Sequence, residues 1–323
     1  MASLKEIKNR IASVQSTRKI TSAMKMVASS KLHHAQVMIE NMLPYESLLE
    51  HILKTFLASE ADAKTVFSEV RQVKKVAIIA YSSNSSLCGG FNSNVIKTLM
   101  KTVEEYKAKG ISDENILVYP IGRKVAEKVA KMGLKAAGEY SGLCDHPNAQ
   151  QCLEVAQSAA NLFASGEVDR VELIYHHFKS AGSQILTHRQ LLPIDIADVD
   201  FTSEKGRDLK STIATAESQE YLRQNGQEHH VEDKAEKPLN DNFIVEPDMD
   251  TVLGKLIPQY FDLQVYTALL DSNASEHAAR MVAMQTATDN ADELLRVLNL
   301  QYNKSRQQAI TNELLDLAGG SQD

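Results

Sequence analysis

The strongest constraint on this chain is where its helix breakers fall. It has 14 glycines and 7 prolines in 323 residues, yet the first proline is Pro44 and the first glycine is Gly89. At the far end, nothing between Pro258 and Gly319 interrupts the backbone. An interior glycine costs a helix about 1 kcal/mol and a proline about 3 kcal/mol, so both ends are free to form very long helices. Leu4, Ile7, Ile11, Val14, Ala28, Leu32, Ala35, Ile39 and Met42 follow alternating three- and four-residue steps. That is a heptad stripe, broken where Arg18, Thr21 and Lys25 stand at apolar positions. Ser3 and Glu6 form a capping box, and residues 3–43 predict a helix of roughly 60 Å. Pro44 removes an amide donor, which predicts a kink and a second helical piece over 45–57.

The other end repeats the pattern. Leu263, Leu270, Ala274, Met281, Met284, Ala291, Leu295, Leu298, Tyr302 and Ala309 make the stripe, and Gly319-Gly320 reads as its stop. Residues 259–318 predict a helix of roughly 90 Å. Two striped helices at opposite ends can bury their stripes against each other as an antiparallel coiled coil. The alternative is two amphipathic helices packed on a common core.

The middle has a different rhythm. Residues 74–81, 115–120, 170–178 and 183–192 read as strands, and 91–109, 122–132 and 149–164 as helices. The alternation predicts a small, mostly parallel, Rossmann-like sheet with helices on its faces. The fold class is therefore α/β with long helical ends. It divides into an N-terminal coiled-coil helix (1–58), an α/β domain (74–196), an acidic insertion or loop (197–250) and a C-terminal coiled-coil helix (251–323).

Composition excludes several classes. With 43% apolar and 24% charged residues the chain is globular. Its apolar runs fall far short of the roughly 20 residues that cross a bilayer, so no membrane span is expected. The charged residues 1–10 predict no secretory leader. Cys88, Cys144 and Cys152 are too few for a disulfide framework. Charge is polarised: Lys5, Lys8, Arg10, Arg18, Lys19, Lys25 and Lys31 face Glu6 alone in residues 1–36. In 198–250, acidic side chains outnumber basic ones fourteen to six. A basic end and an acidic segment point to two different partners.

Chemical motifs are missing where an enzyme would need them. Gly89-Gly90 opens a helix after a strand, but neither GxGxxG nor GxxxxGK[ST] is present, and residues 133–138 lack the following lysine and hydroxyl. No cofactor is expected. Cys88 has no His or Asp assignable to it as a base, so a buried structural thiol is expected there. Cys144, His146 and Cys152 lack a fourth zinc ligand. His33-His34, His176-His177 and His229-His230 are adjacent pairs whose side chains diverge on either kind of element, so no metal site is expected. Residues 1–44 have no aromatic residue before Tyr45, and their basic residues interleave with the seam, which argues against nucleic acid.

Three segments carry a family resemblance. Residues 5–7, 11–17 and 19–28 (Lys-Ile-Thr-Ser-Ala-Met-Lys-Met-Val-Ala in the last) resemble the opening of the γ-subunit family of F-type ATP synthases. Residues 274–284, 287–290 and 300–307 are similar to that family's closing helix, and Leu87-Cys88-Gly89-Gly90-Phe91-Asn92 to its first βα turn. The resemblance, to bacterial members, covers almost the whole chain except the acidic insertion. It implies a non-catalytic rotor shaft that couples proton flow through the membrane sector to ATP synthesis or hydrolysis at β-subunit sites. The implied partners are the α, β, δ and ε subunits and the membrane c-ring. The implied place is the cytoplasmic side of a bacterial plasma membrane, held peripherally. By the same resemblance Met24, Arg280, Gln307, Thr311 and Glu313 match positions that affect coupling, and Arg306 with Gln307 matches a pair that meets a β-subunit loop. Charge places Lys19 and Lys25 toward an acidic loop of β, and Glu246 matches a foot contact to ε or the ring. Residues 272–290, rich in Ala, Ser, Thr and Met, are expected to face outward, where bulky apolar anchors would make a rotor stick. Asn84, Ser85 and Ser86 stand where the family usually has an acidic residue, a basic residue and glycine. Residues 197–250 hold no cysteine, so no thiol switch of the plastid kind is expected. The competing readings are a Rossmann-like nucleotide-binding enzyme with helical arms and a coiled-coil nucleic-acid adaptor.

Overall fold

The computed structural model describes residues 4–59, 66–194 and 243–319. The capping Ser3 and most of the acidic stretch expected over 197–250 lie outside the described residues, as does His229-His230. Two helices dominate. α1 runs Leu4–Ser59 and α6 runs Met249–Gly319, 56 and 71 residues long. At 1.5 Å per residue these are about 84 Å and about 106 Å.

The two pair antiparallel along their predicted stripes. Ala28, Leu32, Ala35 and Ile39 of α1 interlock with Leu270, Ala274, Ala278 and Met281 of α6. Nearer the far end, Leu49, Leu53 and Phe56 meet Leu253, Ile257 and Leu263. The polar breaks in the stripe are matched across the seam. The Thr21 and Thr288 hydroxyls lie 2.8 Å apart, one donating to the other, which is left free to donate to a carbonyl of its own helix. Arg18 pairs with Asp292 at 2.5 Å. The buried threonine pair fixes register, because a slip would set its hydroxyls against apolar neighbours, while the half-exposed ion pair adds little.

The two helical pieces expected on either side of Pro44 belong to one continuous helix, with Pro44 on its exposed side. Seam contacts on both sides hold the two halves in line, so only one backbone donor is lost. α6 starts at Met249, ahead of Gly254 and Pro258, inside the stretch assigned to the insertion. Asp248 caps it, accepting from the Thr251 amide at 2.8 Å and the Thr251 hydroxyl at 2.9 Å.

Between the long helices lies the α/β domain. Its strands are β1 (Val76–Tyr81), β2 (Ile116–Ile121), β3 (Lys135–Ala136), β4 (Arg170–Ser180) and β5 (Ser183–Leu192), in spatial order β3-β2-β1-β4-β5. All pairings are parallel except β4 with β5. The helices are α2 (Phe91–Ala108), α3 (Arg123–Met132), the short α4 (Gly142–Asp145) and α5 (Ala149–Ala164). The buried central strand β1 is apolar throughout, as a strand covered on both faces requires. One face packs on α2 and α3 through Val95, Leu99, Val103, Val125 and Val129. The other packs on α5 and on α6 itself, through Phe261, Val265, Ala268 and Leu269. β3 and α4 were too short for the sequence pattern to announce.

The sheet grips α6 with polar ties. The Tyr81 hydroxyl donates to the Val265 carbonyl at 2.7 Å, and the Ser275 hydroxyl to the His176 carbonyl at 3.2 Å. His177 Nδ1 lies 2.8 Å from the fully buried Asp271 carboxylate. His176, the next residue, points to the other face and stacks on Phe91 with centroids 4.4 Å apart. The pair diverges as a strand demands. Ala274, a member of the predicted stripe, is buried as expected, while Ser272, Ser275 and Ala278 are buried too, which corrects the outward placement expected for that part of 272–290. Their small size lets one helix be packed from two sides at once.

Two stability predictions follow from this packing. Gly122, between β2 and α3, has φ +104°, and a Cβ there would lie 2.2 Å from the Ser82 carbonyl oxygen. Gly122→Ala is expected to lower the unfolding free energy by about 1–3 kcal/mol or more, read by urea titration of the full chain. A loss below about 0.5 kcal/mol would contradict the close approach. Burial holds His176 down to about 4, and burial with repulsion from Arg280 and Lys31 holds His277 to about 3. The unfolded chain protonates both near an ordinary value of about 6.5. Below that pH the unfolded state binds the extra protons, so stability present above 6.5 falls as pH drops toward 4. The urea midpoint should decline between pH 7 and pH 5, and a His176→Gln, His277→Gln double variant should flatten that decline. An unchanged slope would count against it.

Candidate interaction surfaces of the paired helices

A ligand site would be sought first where strand order reverses, between the carboxyl ends of β1 and β4. That crevice is filled from within. His176 and Phe91 stack across it, and α6 lays Ser272, Asn273, Ser275 and Glu276 over its mouth. Asn273 donates to the Cys144 carbonyl at 2.7 Å, closing α4 against α6. The Ser82 carbonyl accepts from the Cys144 thiol at 3.0 Å. The space a mononucleotide would occupy is thus taken by the chain's own long helix.

The cysteines are all free and buried. Burial pushes the Cys152 thiol up to about 12, and Cys144 higher still, so neither offers a thiolate at neutral pH. Cys88 is held by the Asn92 amide, 3.2 Å from its sulfur. Among the described residues, no group of three or more His, Cys, Asp and Glu is arranged for a metal. No helix among them is long and apolar enough to cross a membrane.

What remains functional is surface. The cross-seam pairs Thr21/Thr288 and Arg18/Asp292 mark the antiparallel register, and carrying it along at equal rise puts Leu4 opposite about position 306. The last turns of α6 therefore run on past the described start of α1 as a single helix. Arg306, Gln307 and Thr311 lie there, all exposed, with the Thr311 hydroxyl bonded back to the Gln307 carbonyl at 2.9 Å. Glu313 belongs to the same stretch of helix, and its side chain lies outside the described residues. Ile310, Leu314 and Leu315 are also exposed on this end, an apolar face with no seam partner among the described residues.

The other expected site residues are scattered along the shaft. Met24 is half-buried on α1 between the exposed Ile20 and Val27, so this outer strip carries apolar side chains where sparse polar ones were expected. Lys19 is exposed, whereas Lys25 is only 6% exposed, its stem lying in the seam one turn from Thr21. Arg280 is 12% exposed and engaged within the chain, with Glu276 and with Ser85. Glu246 is exposed just ahead of the α6 cap, at the opposite end from Arg306. Sequence reasoning missed the Thr21–Thr288 pair as a register device and the Arg18–Asp292 pair beside it. The signal was available: each polar break in one stripe needed a polar partner in the other.

The family model described as ATP synthase matches residues 3–322. The chain is 50% identical over 321 residues to the ATP synthase gamma chain of Phocaeicola vulgatus, covering 99% of both chains. It is 38% identical to that of Flavobacterium johnsoniae, covering 100% of this chain and 99% of the relative. Among solved structures, a chain of the Euglena gracilis mitochondrial ATP synthase (OSCP/F1/c-ring, rotational state 3) matches with TM-score 0.59 and 17% identity, over 98% of this chain and 93% of that one. At that identity the likeness speaks for the fold alone, and it is the paired-helix fold described above. With end-to-end identity to bacterial gamma chains and the family model spanning nearly its full length, this chain belongs to the gamma chain family of ATP synthases.

Proposed function

We propose that the chain is the central rotor shaft of a bacterial proton-translocating ATP synthase, working with α, β, δ and ε subunits and a membrane c-ring. The observation that carries this reading is the antiparallel α1–α6 pair, register-locked by Thr21–Thr288 and ending in a bare α6 tip. Two long hydrogen-bonded helices wound on one seam resist twisting far better than a single helix, and torque is what a shaft must carry. The exposed tip, with Arg306, Gln307, Thr311 and Glu313 on the same helical stretch, offers contacts to surrounding α and β subunits. Met24 on the outer strip of α1 extends that surface, whereas Lys25, buried in the seam, is withdrawn from it. Glu246 at the other end is suited to an ε or ring contact. The chain binds no cofactor in this reading and makes or breaks no bond. It is held peripherally on the cytoplasmic side of the plasma membrane through its partners.

The nucleotide-enzyme alternative is not favoured, because the crevice at the strand switch is occupied by α6. The test is to co-express the chain with α and β subunits and delete residues 300–323. Assembly is expected to survive in reduced yield, while proton-driven ATP synthesis in reconstituted vesicles falls several-fold. Wild-type rates of synthesis with the truncated chain, or failure of the intact chain to co-purify with α and β, would overturn the proposal.

A further inference from the structure

The loop from Ser82 to Gly90 is anchored unevenly. Its inner half is tied into the α/β domain: the Asn84 amide donates to the Ser141 carbonyl and the Asp145 carboxylate, each at 2.7 Å, and the Asn84 side-chain oxygen accepts from the Arg123 amide at 2.9 Å. The Ser83 amide donates to Asn92 at 2.9 Å, and Asn92 in turn reaches the Ser85 carbonyl and the Cys88 sulfur, each at 3.2 Å. Toward the shaft the Ser85–Ser86 segment is held by hydrogen bonds from Arg280. Arg280 Nη2 donates to the Ser85 hydroxyl at 2.7 Å and lies 3.5 Å from the Ser86 carbonyl, while Nη1 pairs with Glu276 one turn back on α6. Two of the three guanidinium nitrogens are thus committed inside the chain. Next to this tie stands Leu87, with φ +69° and 59% of its surface exposed, a left-handed residue that glycine would adopt more easily. A strained, exposed tip persists only where its surroundings hold it.

We propose that Arg280 is a positioning residue, acting on rotary coupling by bracing the Ser85–Ser86 segment against α6 so that shaft and loop turn as one body. The proposal rests on the rotor reading above and replaces direct contact of Arg280 with a neighbouring subunit. Lysine keeps the charge but loses the planar fork that reaches Glu276 and Ser85 together.

The experiment uses the full chain, free and in the assembled complex, with Arg280→Lys, Ser85→Ala and the double variant. Labelling of Cys88 by N-ethylmaleimide, followed on its own peptide by mass spectrometry, reads opening of the loop. In the free chain either substitution should raise that rate about tenfold, the effect of losing one charge-assisted hydrogen bond, with the fold unchanged by circular dichroism. In the complex, protons pumped per ATP hydrolysed should fall in both single variants, and the double variant should be no worse than Arg280→Lys. Loss of coupling in Arg280→Lys with Ser85→Ala unaffected and Cys88 labelling unchanged would overturn the brace and return Arg280 to an intersubunit contact. Additive losses in the double variant would overturn it as well. Failure of the unsubstituted complex to pump protons would instead sink the rotor reading, and the free-chain labelling would still decide the brace.

Discussion

Everything else in this molecule depends on the seam between α1 and α6. Each helix alone is an unlikely object in water, since isolated helices owe most of their stability to packing an apolar face. Paired, they bury Leu32, Ile39, Leu270 and Met281 to near-zero exposure, and each such side chain contributes roughly 1.5–3 kcal/mol. The apolar steps give adhesion without choosing a register, because one heptad resembles the next. Register comes from the polar layer, where the buried Thr21 meets Thr288, with the half-exposed Arg18–Asp292 pair adding little. The buried contact is inexpensive when aligned and costly when slipped, so it disciplines a seam tens of ångströms long.

The α/β domain is fastened to this pair by α6, which serves two cores at once. On one side it meets α1, and on the other it closes the sheet that α2, α3 and α5 otherwise cover. That double duty explains the run of small residues from Ser272 to Ala278, as well as the buried Asp271 held against His177. It also explains the absence of nucleotide chemistry from a doubly wound sheet. The fold brings the usual crevice into being and then spends it on mechanical attachment.

Much of this was legible beforehand. The strand and helix bounds of the middle section came within a residue or two, because buried parallel strands such as 76–81 are continuous apolar runs between glycine-bearing turns. The stripes named the central seam residues except Ala278, but of the far end, where Leu49, Leu53 and Phe56 meet Leu253, Ile257 and Leu263, they named Leu263 alone. What the structure changed or added is informative in each case. Pro44 set apart two helical pieces in the sequence, and the seam contacts on both sides join them into one helix despite one lost donor. The small residues of 272–278 looked like a slippery outer face, since composition cannot say whether smallness serves sliding or close packing. Arg280, matched by resemblance to a coupling position, also bonds Glu276 and Ser85, the latter across 195 positions of sequence that no local pattern encodes.

By itself the sequence determined that both ends must be long helices with facing stripes, because breaker placement and heptad spacing are local properties written one residue at a time. It likewise determined the alternating α/β middle and, through short motifs, the family. Tertiary structure alone decided the register of the pair, the burial of Lys25, the exposure of the last described turns of α6, and the hydrogen bond from Arg280 to Ser85. Those depend on which atoms meet across hundreds of positions, and hydrogen-bond geometry between distant segments has no signature in spacing or composition.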